Sequence, residues 1–451
     1  MSKLSRSQFL QLSVMLFGLF FGAGNLISPP LLGNQAGSAM FLALLSFAVT
    51  AVIFPVLGTI AVGKTGGLSV LARRVGPLFS IVFTTAIYLS IGPGLGIPRA
   101  GSVPFEMAIA PYLSNDVSPT LVRLVYTFVF FSTALWICFK PNQLVKRIGK
   151  YLTPVLLVLI VAMFARLMML PKSVAPAVGN YAKAPVVQGF VAGYGTMDAI
   201  AALNFGFVIS MAVRRFGIKD DHRVTQYTKQ AGIIAGLMLF LVYAMLSMIG
   251  MISSETQAGA KNGAVILSHS MQSALGDFGL VLLASIFTLA CLTTCVGLIT
   301  SGAEYFHHLF HEKLSYRTWV IVWTGCSFLT ANFGLNTLLA YSVPLLTVIY
   351  PVSLVLIVMG MTQERLHFGT LSYRAAAFVS VLFPLFDMLR TTFSLQLIPK
   401  SLYAMLPLSE NGLGWMVPTL VVLLVACLVE KFLLPTDKSQ IATPLTDNVQ
   451  A

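Results

Sequence analysis

Charge is what this chain lacks most. Asp, Glu, Lys and Arg make up only 10% of its 451 residues, against roughly 25% in soluble domains. Hydrophobic residues make up 57%, the mean hydropathy is +0.86, and no polar stretch is long enough for a soluble domain, so the pattern is that of an all-α polytopic membrane protein. Cysteine is scarce too: Cys138, Cys291, Cys295, Cys326 and Cys427 all lie in apolar segments. Cys291 and Cys295 have no second pair at zinc-site spacing, so neither a disulfide framework nor a metal centre is implied. No HExxH, paired-carboxylate or Ser/His constellation falls at membrane depth, which argues against an intramembrane enzyme. A repeated carbonyl-ring filter sequence is missing as well, which argues against a channel. The net charge of +13 would suit nucleic acid, but the basic residues are scattered among short loops and form no stripe, so no nucleic-acid partner is expected.

What is present is a series of long apolar runs. At about 20 residues per crossing, the sequence predicts about twelve transmembrane helices, at 8–32, 38–62, 77–110, 119–139, 149–170, 188–213, 230–253, 279–303, 318–334, 338–360, 372–393 and 414–434. The basic flank before the first run resembles a signal peptide, but the run is too long and lacks a small-residue cleavage site, so an uncleaved first span is expected. Most Lys and Arg fall in the loops that share a side with the N-terminus, which predicts cytoplasmic N- and C-termini. The third run is overlong and carries Gly92-Pro93-Gly94-Leu95-Gly96, so it is steeply tilted or broken. The loop 254–278 reads either as an outer lid or as an ordinary connecting helix. His307, His308 and His311 lie in an inner loop with Glu304 and Glu312 as the only acidic neighbours, a poor set for a metal.

Two of the apolar runs are interrupted in corresponding places. Gly18 to Pro30 (GLFFGAGNLISPP) breaks the first, and Gly193-Tyr194-Gly195-Thr196-Met197-Asp198 breaks the sixth. Irregular backbone at membrane depth is tolerated only where it is buried in protein or lines a cavity, and paired interruptions in two halves point to a transporter's binding site. Free amides at Gly22, Ala23 and Gly24, at the positive end of a half-helix, suit a substrate carboxylate, and a side chain at Gly24 would block its approach. The carbonyls around Gly18 and Phe21 suit a small hard cation. Helix packing through small residues is the competing explanation for the glycines. Asp198 is a carboxylate in mid-span, where an unpaired charge costs about 2.5–3.5 kcal/mol. It meets a substrate ammonium or a cation, or it caps the helix that restarts at Ala199. Thr293 and Thr294 place two adjacent hydroxyls midway through the eighth span, where they either bond back to their own turn or contribute oxygens to a sodium site.

FFGAGNLISPP (20–30), GPGLGIPRAGSVPFE (92–106), GYGTMDAIAALNFG (193–206), ACLTTCVGL (290–298) and LSYRTWV (314–320) together resemble the bacterial branched-chain amino acid:cation symporter family of the BrnQ type. The resemblance runs over essentially the whole chain. It implies a LeuT-like fold of two inverted five-helix repeats, 1–170 and 188–360, with helices 1 and 6 broken, followed by spans 11 and 12 and a cytoplasmic tail over 361–451. It implies that Ala23 and Gly24 bind carboxylate. Gly18, Phe21 and Ala290 carbonyls with the Thr293 and Thr294 hydroxyls would form a sodium site. Gly22, Asn25, Gly195, Thr196 and Asp198 would line the substrate position, Asn25 and Thr196 also resembling ligands of a second cation. Proton-coupled relatives of this fold place a lysine from span 5 in the sodium position, and 149–170 has none in its interior. The implied activity is sodium-coupled import of leucine, isoleucine and valine across a bacterial inner membrane, with a proton-coupled or exchange-type amino acid carrier as the nearest alternative, no cofactor beyond the coupling ion and no obligate protein partner.

Overall fold

The structure, a computed structural model, describes residues 4–433 apart from 111, 112, 115, 170, 394 and 396–405. The tail beyond 433 lies outside the described residues. Every regular element among them is helical; the nearest approach to a sheet is a single bridge between Ser173 and Ser253. Helix starts follow local chemistry. Ser5 accepts from the Gln8 amide at 3.2 Å while its own amide donates to Gln8 Oε1 at 2.9 Å, a capping box that begins the first span. Asn262 and Ser315 cap the helices after them more simply, each accepting one first-turn amide. Pro77, Pro119 and Pro185 occupy first helical positions, where the missing amide costs nothing.

All twelve expected spans contain helix. Span 1 is Arg6–Phe20 and Ala23–Ala36, and span 2 runs from Met40 to Thr65. Span 3 is Pro77–Leu89 and Gly96–Ala108, broken at Gly92 (φ −81°, ψ −125°), which resolves the overlong third run as a break and not a tilt. Spans 4 and 5 are Pro119–Cys138 and Val145–Leu167. Span 6 is Pro185–Ala192 and Asp198–Arg215, joined by a tight turn over Gly193–Thr196 and bent by 45°. Span 7 is Asp221–Ile252, span 8 lies in Gly263–Leu309, and spans 9 to 12 are Tyr316–Ala331, Leu335–Leu366, Thr370–Phe393 and Met416–Leu433. Among the described residues, eight helices are long and apolar enough to cross a membrane unaided, nine when the bent pair of span 6 is taken as one. Large apolar side chains such as Leu78, Trp136 and Val158 are exposed on the outside, as lipid contact requires. Polar groups such as Asn25, Thr293 and Asp198 are buried, the reverse of a soluble protein.

The loop 254–278 is largely helical. Its helix begins at Gly263 and continues into span 8 through a bend at Gly276, whose φ of 58° is open to glycine at no steric cost. This segment seals one end of span 1: Gly263 lies directly on the Ile27 carbonyl, Asn34 Nδ2 donates to the Gln257 carbonyl at 3.4 Å, and Gln257 Nε2 reaches Ser270 Oγ at 3.0 Å. At the opposite end a cavity of about 170 Å³ opens between Gln11, Lys146, Met211, Arg215, Thr300 and Glu304. The molecule is therefore sealed on the side of residues 254–278 and hollow on the side of the N-terminus.

Candidate functional site

The two interruptions meet. A Cβ on Gly24 would stand 2.7 Å from the Gly195 carbonyl oxygen and 3.0 Å from Thr196 Cα, so the first break touches the second with no room for a side chain. Packing thus accounts for the lack of a side chain at Gly24, since a Cβ there would meet the backbone of the second break. Asn25 joins the breaks chemically. Its Oδ1 accepts from the Gly22 amide at 2.9 Å, and its Nδ2 donates to Asp198 Oδ2 at 2.6 Å and to the Tyr243 hydroxyl. Tyr243, in span 7, donates to the same Asp198 oxygen at 2.7 Å.

That network decides the role of Asp198 within the fold. Both bonds to its carboxylate come from side chains, and the helix it begins has Met197 as its cap residue, with no side-chain capping bond. The helix-cap reading is therefore not what the geometry gives. Met197 itself sits at φ 63°, a left-handed conformation costing on the order of 1–3 kcal/mol for a non-glycine residue, and it lies at the 45° bend between the two halves of span 6. Thr196 Oγ1 donates to the Gly193 carbonyl at 2.8 Å and accepts from the Asp198 amide at 3.4 Å.

The same geometry frees carbonyls. In an unbroken helix the Gly22 amide would bond to the Gly18 carbonyl; here it bonds to Asn25 Oδ1 instead, and the Gly18 oxygen loses that partner. Phe21 is extended at the helix end (φ −76°, ψ 90°). Two hydroxyls converge on this end. Thr294 Oγ1 lies where a Cβ on Gly22 would be 2.9 Å away, and Thr153 Oγ1 of span 5 lies directly on Gly18. Both oxygens are buried and take no hydrogen bond among the described residues. Thr293 differs from its neighbour, since its hydroxyl donates to the Ala290 carbonyl at 2.9 Å. Orphaned buried oxygens beside free carbonyls are the ligand chemistry of a hard cation.

A small cavity of about 40 Å³ lies at the junction, lined among others by Gly22, Ala23, Gly24, Asn25, Thr196, Asp198 and Thr294. It has room for water or an ion but not for a leucine side chain, so a substrate of that size needs it widened. The cavity's other polar liner is Arg99, from the second half of span 3. The sequence reading singled out neither Arg99, Tyr243 nor Thr153. Arg99 was visible as a charge within an apolar, glycine-rich run; a tyrosine and a threonine inside apolar helices carry no comparable signal. Of the three inner-loop histidines, His307 pairs its Nδ1 with the Leu314 carbonyl at 2.8 Å, and no group of three His, Cys, Asp or Glu suited to a metal occurs among the described residues.

A family model described as "Branched-chain amino acid transport protein" matches residues 5–433. The branched-chain amino acid transport system 2 carrier protein of Pseudomonas aeruginosa is 38% identical over 435 residues, covering 96% of this chain and 98% of that protein. The branched-chain amino acid permease BraB of Bacillus subtilis is 37% identical over 427 residues, covering 94% and 96%. Among solved structures, MhsT in complex with L-phenylalanine superposes with a TM-score of 0.56 at 14% identity, covering 94% of this chain and 98% of that one, a likeness of fold alone. The fold is LeuT-like, with its first and sixth spans broken at the touching loops. A match running through all twelve spans, to relatives that are carriers and permeases, means that this chain belongs to the branched-chain amino acid transport protein family and is a multi-pass membrane transporter, not an enzyme.

Proposed function

We propose that the chain imports leucine, isoleucine and valine together with sodium, by alternating access across a bacterial inner membrane. The observation that carries the reading is the pairing at one cavity of a buried carboxylate, Asp198, with the start of the half-helix Ala23–Ala36, where Gly22 offers no side-chain cap to the first-turn amides. An amino acid zwitterion matches both: its ammonium faces Asp198, and its carboxylate faces the first-turn amides of Ala23 and Gly24. Gly22, Asn25, Gly195 and Thr196 complete the surroundings. The specific amino acids come from the family and the relatives' names.

Sodium is favoured by oxygen chemistry. The Gly18, Phe21 and Ala290 carbonyls with the Thr293 and Thr294 hydroxyls supply a set of neutral oxygens. The residue that span 5 lays on Gly18 is Thr153, an uncharged oxygen. At 100 mV of membrane potential, one sodium gains about 2.3 kcal/mol, and a tenfold gradient adds about 1.4 kcal/mol, together sustaining about 500-fold accumulation. The repeats 1–170 and 188–360 would rock about the site. The scatter of Lys and Arg orients the hollow side, with both termini, toward the cytoplasm.

The test is equilibrium binding of labelled leucine to purified protein at rising sodium, with potassium replacing sodium at constant ionic strength. Affinity that rises with sodium supports the reading. Leucine affinity independent of sodium removes the coupling ion, and no leucine binding at all removes the substrate.

A further inference from the structure

We propose that Arg99 is the anchor for the substrate's carboxylate, setting the transporter's requirement for a free α-carboxylate. This deepens, and rests on, the amino acid reading above. Arg99 and Asp198 are the two ionisable residues that line the central cavity, and they form no ion pair with each other. The Asp198 oxygen Oδ2 is engaged by Asn25 and Tyr243. Among the described residues the Arg99 side chain makes one long contact, from Nη1 to Met197 Sδ at 3.9 Å. A half-buried guanidinium at membrane depth is thus left without an anion.

Its backbone setting makes that more costly. Arg99 lies in the first turn of Gly96–Ala108, where its amide bonds to the Leu95 carbonyl at 2.8 Å and the helix has no side-chain cap. A helix N-terminus carries roughly half a positive charge, so a cation there is repelled by its own helix. The cavity collects two more such ends: Gly22 to Asn25 belong to the start of Ala23–Ala36, and Asp198 and Ala201 to the start of Asp198–Arg215. Three helix starts and the guanidinium thus meet at one cavity whose carboxylate, Asp198, is already bonded to Asn25 and Tyr243, which leaves the guanidinium open to an anion from outside. Thr294 Oγ1, buried and unpartnered at its wall, adds a neutral donor. The ligand that balances this is an anion, and a carboxylate takes the guanidinium fork with two parallel bonds. Intramembrane arginines mark substrate pathways for this reason, and a lysine lacks the fork.

The experiment compares leucine with leucinamide, which keeps the ammonium and side chain but has a neutral carboxamide. Binding is measured by titration calorimetry in sodium, on wild type, Arg99→Gln and Arg99→Lys, with thermal melting as the folding control. Wild type is expected to prefer leucine by about tenfold or more, the factor for one charge-assisted bond. Arg99→Gln should lose that factor for leucine and keep the wild-type affinity for leucinamide; Arg99→Lys should fall between. Unchanged leucine affinity in Arg99→Gln, or equal losses for both ligands, overturns the proposal while leaving the amino acid reading standing. If the glutamine variant does not fold, the lysine variant decides: a lowered leucine preference supports the anchor, and an unchanged preference overturns it. Wild type that binds no leucine overturns the parent reading and the anchor with it.

Discussion

Asp198→Asn separates structure from transport because the change keeps shape and removes charge. The carboxylate accepts from Asn25 Nδ2 at 2.6 Å and from the Tyr243 hydroxyl at 2.7 Å, all three groups buried. A hydrogen bond to a charged acceptor contributes about 1.5–3 kcal/mol, and one to a neutral amide oxygen about 0.5–1.5 kcal/mol, so the substitution weakens the pair by about 2–3 kcal/mol in all. Removing a mid-span charge returns about 2.5–3.5 kcal/mol on insertion scales. The two nearly cancel, and the melting temperature should barely move. Binding has no such compensation. A substrate ammonium that loses its counter-charge loses about 2–3 kcal/mol, about 30- to 150-fold in affinity. The assay is leucine binding against sodium concentration in the purified variant. Weaker leucine binding at saturating sodium identifies the ammonium as the partner; a sodium curve moved to higher concentration identifies a cation. Wild-type affinity with an unmoved sodium curve refutes a functional role for the charge.

Other perturbations test the neighbouring oxygens and the contact between breaks. Thr294→Val removes an unpartnered buried oxygen and should raise the sodium concentration for half-maximal leucine binding severalfold; Thr293→Ala should do less, since that hydroxyl is already bonded to the Ala290 carbonyl, and unmoved sodium curves in both would remove span 8 from the ion site. Tyr243→Phe leaves Asp198 with the Asn25 donor alone and should cost about 1–3 kcal/mol of stability, read as a lower melting temperature; an unchanged melt would mean the hydroxyl bond contributes little. Gly24→Ala places a methyl 2.7 Å from the Gly195 carbonyl, so melting temperature and leucine binding should fall together; lost binding with a wild-type melt would mean that this glycine serves the ligand and not the packing.

The parts legible in the sequence were those with a local signature. Glycines with Asn25 and two prolines inside an apolar run mark a break, and a carboxylate at mid-span marks Asp198, with no partner needed to see either. What stayed hidden was relational. Tyr243 stacks near Phe21 and edge-on to Phe47, and is joined to Asn25 across 218 residues of chain; in sequence it is one tyrosine in an apolar helix. Thr153 acquires meaning only because Gly18 has no side chain at their crossing. Arg99 stood in a conspicuous motif, yet its significance comes from three helix starts converging on one cavity. For 254–278, where the sequence left an outer lid and a connecting helix open, the structure gives a helix that runs on into span 8, because Gly276 bends it without ending it.

The central claim is tested most directly by flux. Wild-type protein reconstituted in liposomes, with external labelled leucine and separately imposed sodium and proton gradients, should accumulate leucine against its gradient only when sodium is directed inward. A negative interior should increase that accumulation, and excess unlabelled isoleucine or valine should abolish it. Accumulation driven by an inward proton gradient without sodium, or leucine movement that no ion gradient affects, would contradict the account.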